Sequence, residues 1–293
     1  MTTPSSSPPA PASKPVSRRW LWVILVTAFL FVLMPFLFWQ STWFGRPLTD
    51  AEIEKNLADR EHSRKAQHAL SQIADRLGSR DPAIRGSARR WYPQVVALSG
   101  SPVDELRLTA AWVMGQDNTA AEFRAALLRL LGDPHPMVRR NAALSLVRFG
   151  NSSGRTVILS MLEPYSVLAL HSGNFRQRLK PGDAVNPGTL VARIEEGDLK
   201  IEVRSLVPGK LARWLAQDGA PVKLGEATAL LEPSQEMVWE ALRALYLIGE
   251  MEDLPAVERF AVAARFGPGA GFRPEILEQA RLTTAAIRTR SAR

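Results

Sequence analysis

The chain has 293 residues, no cysteine and a formal net charge of +8. The lack of cysteine excludes disulfides, thiolate metal sites and cysteine nucleophiles, and the length allows one large domain or two modest ones. A basic balance can indicate nucleic acid or anionic lipid as a partner. Because no block of five or more like charges occurs, we expect a solvated basic surface and no nucleic-acid partner.

A polar tail and a long apolar run make up the first 40 residues. Residues 1–19 are rich in Pro, Ser, Thr and Ala, which predicts a disordered tail. Residues 20–40 carry no charge, and about 20 such residues in a helix span the hydrocarbon core of a bilayer. We therefore predict one transmembrane helix over 20–40, in contact with the lipid bilayer. The tryptophans expected at its two interfaces are Trp20, Trp22, Trp39 and Trp43.

The charges that flank this run predict its orientation. Lys14, Arg18 and Arg19 precede it without an acidic neighbour, whereas three acidic residues soon follow Arg46. The positive-inside rule then places the N-terminus in the cytoplasm and the main body outside it, in the periplasm of a bacterium. A cleaved signal peptide and a twin-arginine export signal are the alternatives. The length of the run and the lack of an A-x-A site argue against the first, and the strong hydrophobicity argues against the second.

Residues 46–163 predict a series of helices. The sequence Thr-Asp-Ala-Glu at 49–52 has the pattern of a capping box, and short Gly, Asp and Pro breaks separate the helical periods that follow. In the clearest unit, 130–150, a helix ends at Gly132 and the next one follows the Asp133-Pro134 turn. That second helix places four apolar residues on one face, namely Val138, Ala142, Ala143 and Leu146.

This unit resembles a HEAT repeat, with the pattern L-x-D-P-x-x-x-V-R-x-x-A-A-x-x-L. Weaker copies of the pattern lie at 81–85 and 106–112. The resemblance covers 50–162 and 234–290, and it implies a solenoid, because one helix pair cannot bury its apolar face alone. A non-repeating helical bundle is the alternative. We assign 46–163 and, as its continuation, 234–293 to the helical repeats.

Residues 164–233 interrupt the helices with two copies of a glycine-rich strand pattern. The copies run over 173–188 and 209–225, and an apolar strand follows each. After them the helical spacing of the 130–150 unit returns, with Met237, Ala241, Leu242, Leu245 and Gly249 at the equivalent places. We therefore predict an all-β domain inserted into a loop of a mostly α-helical solenoid, where added chain costs little closure entropy.

The twofold pattern resembles the biotinyl/lipoyl carrier domain, a flattened barrel-sandwich of two symmetric halves. The resemblance also extends to periplasmic adaptors of efflux pumps and secretion systems, although no helical hairpin of the kind that splits their domain fits between Ile194 and Gly209. The residues that carry the resemblance are 182–188, Pro208, Gly209, Gly219 and Gly225. Because glycine takes positive φ readily, we expect these turns, Gly209 included, to require it.

Carrier domains present a modified lysine at the hairpin tip between the two halves. The corresponding tip here reads Glu195-Glu196-Gly197-Asp198, and the resemblance places Asp198 where the lysine would be. Lys200 is displaced by two residues. We therefore expect no cofactor, with Lys200 as the alternative attachment point, and an acidic tip that contacts a partner.

A search for catalytic and metal-binding patterns finds none. The four histidines form no pair at metal-ligand spacing, and the sequence has no P-loop, nucleophile elbow or H-E-x-x-H motif. The sequence thus predicts a non-enzymatic, membrane-anchored extracytoplasmic scaffold that binds membrane or periplasmic proteins. The alternatives are a component of an efflux or secretion apparatus and a prosthetic-group carrier. The candidate interaction residues are Glu195, Glu196, Asp198, Arg139 and Arg140.

Overall fold

The structure is a computed structural model that describes residues 18–41, 47–59, 61–263 and 272–292. The chain divides into two units, Met1–Thr49 and Asp50–Arg293. Most of the predicted tail, the flanking charges Lys14 and Arg46, and Trp43 lie outside the described residues.

The described residues form α-helices in both units and β-strands in the second unit alone. The helices are α1 (Arg18–Ser41), α2 (Asp50–Ala58), α3 (Ser63–Leu77), α4 (Pro82–Ser87), α5 (Tyr92–Leu98), α6 (Asp104–Met114), α7 (Ala121–Leu130), α8 (Pro136–Arg148), α9 (Arg155–Ser160), α10 (Gln235–Ile248), α11 (Leu254–Ala263) and α12 (Pro274–Ser291). The strands are β1 (Tyr165–Leu168), β2 (Gly173–Gln177), β3 (Ala184–Val185), β4 (Leu190–Glu196), β5 (Leu199–Arg204), β6 (Gly209–Trp214), β7 (Pro221–Val222) and β8 (Ala227–Pro233).

The described part of the first unit is dominated by one apolar helix. Over Arg18–Leu37, α1 is long and apolar enough to cross a membrane, and none of this stretch is buried. Trp20 and Trp22 at its start are both more than half exposed. The prediction of a single apolar helix near the N-terminus is therefore confirmed, with its first turn two residues earlier than expected.

Except for α4, the helices of the second unit stack in two layers. One layer consists of α3, α6, α8, α10 and α12, each in contact with the next, and α2, α5, α7, α9 and α11 pack against it. The predicted apolar face of α8 is correct, because Val138, Ala142, Ala143 and Leu146 are fully buried. Small side chains such as the two alanines allow the neighbouring helices to approach closely.

The helical core continues across the β insertion. Val147 and Ile158, which precede the strands, share one buried cluster with Met237, Leu242 and other residues that follow them. Arg259 of α11 donates to the carbonyl oxygen of Leu162, and its Nη1 lies 2.9 Å from the Glu163 carboxylate. Helices on the two sides of the insertion therefore behave as consecutive members of one array.

The eight strands form two sheets that exchange a strand. The sheet orders are β1-β8-β6-β3 and β5-β4-β2-β7. The two orders correspond position by position, and each pair of equivalent strands takes one strand from each half of the β region. The two-residue strand β3 of the first half pairs with β6 of the second, and β7 pairs with β2 in return. Both halves contribute to one core, which includes Phe175, Ile194, Leu211 and Leu231. The two halves therefore cannot fold as separate sheets.

The expectation that Gly209 needs positive φ is wrong. Positive φ occurs at Gly182, Gly188, Gly219 and Gly225 in the turns, but not at Gly209, which lies in β6. A Cβ at Gly209 would lie 2.3 Å from the carbonyl oxygen of Glu232 on β8. The glycine is needed there because two backbones approach closely.

The weak repeat copy at 81–85 does not form a packed repeat helix. α4 is only six residues long and has no buried residue. In the 130–150 unit the buried Val138 follows the aspartate by five positions, whereas Ile84 follows Asp81 by three. With two residues fewer in the turn, this apolar side chain does not reach the core.

Replacing Gly209 by Ala is expected to destabilise the β region by about 1–3 kcal/mol, because the new methyl group clashes with backbone rather than with a flexible side chain. Hydrogen exchange of peptides from β6 and β8 is expected to accelerate, and the denaturation midpoint to fall. Gly86→Ala is the matched control, because a Cβ there meets nothing within 4 Å. Equal stability of the two variants would contradict the steric role of Gly209.

Candidate functional site

The hairpin between the two halves of the β region forms the predicted tip. Glu196 pairs with Leu199 and Glu195 with Lys200 across β4 and β5, and Gly197 turns the chain with φ +58°. A glycine with positive φ at the first position of a two-residue loop suits the twist of a β-hairpin. The tip residues are therefore held in a defined turn.

The acids of the tip have basic neighbours within the chain. Arg176 Nε donates to the Glu195 carboxylate at 3.1 Å, and Nδ1 of His171 lies 3.3 Å from Oε2 of Glu196. Asp198 and Lys200 are both exposed. Among the described residues, Asp198 is thus the one acid of the tip without a basic partner. The net negative charge of the tip is therefore smaller than the sequence suggests.

Arg139 and Arg140 are used inside the helical array. Arg139 Nη1 donates to the carbonyl oxygens of Asp133 and Pro134, at 2.6 and 2.9 Å. Arg140 forms an ion pair with Glu240 of α10. Within the described residues, no hydrogen bond or ion pair joins these arginines to the hairpin tip, so the five candidate residues do not form one site.

A buried ion pair that the sequence reasoning missed joins two successive repeats. Arg107 of α6 donates from Nε and Nη2 to the two carboxylate oxygens of Asp133, at 2.7 and 3.0 Å. The same arginine donates from Nη1 to the carbonyl oxygens of Ser101 and Pro102. Arg139 makes the equivalent carbonyl contacts one repeat later. The signal in the sequence was an arginine at the same distance after a proline turn in both repeats, because Arg107 and Arg139 are 32 residues apart.

The electrostatics of Asp133 follow from this arrangement. Its side chain is only 4% exposed, and burial alone would raise its pKa. Hydrogen bonds from Arg107 and from the backbone amide of His135 outweigh burial, so the pKa of Asp133 lies below its usual value. The carboxylate is therefore charged at neutral pH and fixes α6 to the turn before α8.

A cavity of about 270 Å³ lies where the helical array meets the β region. Its walls come from α8, α9, α10, β1, β8 and the loop before β6, and they include Arg139, Tyr165, Val207, Glu232 and Met237. Burial raises the pKa of Tyr165, against the opposing effect of Arg139. Met137 of α8 also packs against the β core. The β region is therefore attached to the array through a mixed polar and apolar contact.

No group of three or more His, Asp or Glu side chains in the described residues is placed to hold a metal ion. The histidines are dispersed, with His135 capping α8 through the Met137 amide and His171 beside the hairpin tip. The described residues thus bring together no candidate metal centre.

Comparison with known families supports the helical assignment in part. The family model for HEAT repeats matches residues 93–169, from α5 through α9 into β1. The predicted resemblance is therefore confirmed for the units around 106–112 and 130–150. The match includes neither 81–85 nor 234–290. No curated protein shows significant similarity to the chain.

Asp133→Asn is expected to lower the free energy of unfolding by about 3 kcal/mol at neutral pH, because it leaves the Arg107 guanidinium buried without a counter-charge. Asp198→Asn at the exposed tip is the control and is expected to change stability by less than about 0.5 kcal/mol. Denaturant unfolding of both variants measures the difference.

The effect of Asp133→Asn should also depend on pH. The pKa of Asp133 is lowered by folding, so its contribution is complete above the unfolded-state pKa of about 3.9 and is lost as the pH falls through the folded-state value. The stability difference between the native chain and the variant should shrink below about pH 4. A difference that stays constant down to pH 2 would show that the ion pair contributes no charge-dependent stability.

Proposed function

We propose that this chain is a membrane-anchored, extracytoplasmic scaffold that presents a lipoyl-like β domain from a HEAT-like array. The observation that carries the proposal is the buried cluster shared by α8, α9 and α10, which continues across the insertion. An insertion that leaves the array intact adds a second surface without removing the first. That arrangement suits a protein that holds two partners and has no need to move substrate.

The strand exchange between the two sheets supports the lipoyl-like assignment. Each half gives its short strand to the sheet of the other half, and the hairpin tip lies between them. This is the topology expected of a twofold barrel-sandwich. The carrier alternative predicts an added mass on Lys200, which intact-mass spectrometry of the purified chain would detect.

The length and hydropathy of α1 support the anchor. Arg18–Leu37 forms an apolar helix of 20 residues, and a helix of this length spans a bilayer. The basic residues before the apolar run, Arg18 and Arg19 among them, favour a cytoplasmic N-terminus. On this proposal the array and the β domain lie outside the cytoplasm.

Because the chain has no cysteine, single cysteines report its topology directly. In spheroplasts, Asp198→Cys is expected to react with a membrane-impermeant maleimide, whereas Ser5→Cys in the tail should react only after the membrane is dissolved. Both variants change exposed or terminal positions. Labelling of Ser5→Cys alone in intact spheroplasts would place the body in the cytoplasm and contradict the proposal.

Replacing residues 165–232 by a short Gly/Ser linker is expected to leave the helical array folded. Tyr165 pairs directly with Leu231, so the two ends of the insertion are neighbours and a short linker can join them. Circular dichroism should show cooperative unfolding, with a melting temperature reduced by the lost contacts of Met137 and Tyr165. Loss of cooperativity would mean that the β region is part of the scaffold core.

A further inference from the structure

The start of the second unit carries an exposed basic segment, Arg80 to Arg90. The side chain of Ile84 in this segment is 45% exposed, whereas Leu106 and Val138 of the packed repeats are buried. A solvent-facing isoleucine between arginines gains nothing from the fold. Single exposed apolar side chains are common on proteins, but this one lies among arginines on a helix that buries no residue, so it is available to a partner that offers both negative charge and an apolar phase.

Arg80, Arg85 and Arg89 of this segment point charge at the solvent. Among the described residues, the side chains of Arg80 and Arg85 make no hydrogen bond or ion pair. Arg89 Nε lies 4.0 Å from the Asp117 carboxylate, and its side chain is 66% exposed. The segment contains one acid, Asp81, whose carboxylate accepts from the Ala83 amide and caps α4. The local balance is therefore strongly positive.

The segment lies where the chain enters the second unit. Asp50, the first residue of that unit, is bound by Arg90 at 2.7 Å and by Arg76 at 2.6 Å. Eight residues separate Ser41, the end of α1, from Asp50. Such a length spans roughly 30 Å at full extension. In an anchored chain, a link of this length lets Asp50 and the arginines that bind it reach the bilayer surface.

We propose that the segment from Arg80 to Arg90 binds the headgroups of anionic phospholipids, with Ile84 inserted at the interface. The inference rests on the membrane anchor of the proposed function. Guanidinium groups bind phosphate oxygens in bidentate geometry, and cations near an anionic leaflet add to apolar insertion. The segment combines both contributions in an exposed turn and a short helix.

The other basic end of the chain does not offer the same chemistry. In α12, Arg288 is paired with Glu258 at 2.6 Å, and Arg290 donates to the carbonyl oxygens at the end of α10. Arg281 lies 3.9 Å from Glu278. Leu282 beside it is 47% exposed, close to the exposure of Ile84, so this position provides a matched control.

The test uses the full chain in lipid nanodiscs, with a single cysteine at Ile84 that carries a polarity-sensitive fluorophore. In nanodiscs that contain phosphatidylglycerol, we expect a blue-shifted emission and quenching by a lipid-borne quencher. Both should be absent in pure phosphatidylcholine and should decrease in high salt. The Leu282→Cys probe should respond to neither lipid.

A charge-reversed variant tests the role of the arginines. Each cation near an anionic surface changes partitioning by about fivefold, so Arg80→Glu with Arg85→Glu should reduce the quenched fraction at least that much. The quenched fraction of the double variant Arg80→Gln, Arg85→Gln should fall between that of the native chain and that of the charge-reversed variant. These side chains have no partner in the described fold, so thermal unfolding should be unchanged.

Three outcomes would overturn the inference while leaving the scaffold proposal in place. They are an Ile84 probe that gives the same signal in both lipids, a charge-reversed variant that is quenched like the native chain, and a Leu282 probe that responds as strongly. Failure of the chain to enter nanodiscs of either composition is a different result. It would overturn the anchor, and this inference with it.

Discussion

The helical core of the second unit has to close across the chain inserted between α9 and α10. Burial of the shared cluster drives this closure, because each large apolar side chain in it contributes about 1.5–3 kcal/mol. Surface ion pairs around it contribute about 0–1 kcal/mol each and serve chiefly to fix the alignment of the helices. Arg155 shows this role, since it reaches from α9 to the exposed carboxylates of Glu250 and Glu252 before α11. The position of the β region depends on this closure.

Arginine is used here as much for building as for surface charge. Arg107 and Arg139 each hold the carbonyl groups of their own repeat turn. Arg290 donates to the carbonyl oxygens of Tyr246, Leu247 and Gly249, which α10 leaves without helical partners. A net charge of +8 therefore overstates the basic surface. The side chains of Arg80 and Arg85 differ from these arginines, because no carbonyl or carboxylate oxygen of the described residues accepts a hydrogen bond from them.

The features that could be predicted from the sequence are those with a local period. The buried face of α8, the return of the same spacing in α10 and the twofold glycine pattern each follow from residues close in the chain. Their placement as a helical array interrupted by strands was correct for that reason. The apolar helix at the N-terminus was equally visible as a continuous uncharged run.

The features that could not be predicted depend on partners distant in sequence. Gly209 lies opposite Glu232, and only the pairing of β6 with β8 reveals that the constraint is steric. Arg140 forms an ion pair with Glu240, which lies 100 positions away in the sequence. The Ile84 pattern matched a repeat in residue type but not in turn length. Residue types thus indicated the chemistry, while contacts within the fold decided which side chains remained available to bind a partner.

The attachment of the β region favours a fixed module over a mobile carrier. A carrier must bring its lysine to more than one site, so it needs freedom at both ends of the domain. Here Glu163 before β1 is paired with Arg259, and Ser234 after β8 caps α10 through the Met237 amide. Both ends are therefore tied to the array within one or two residues of the strands. Such fixed ends suit a surface held in a constant orientation, which is what a scaffold requires.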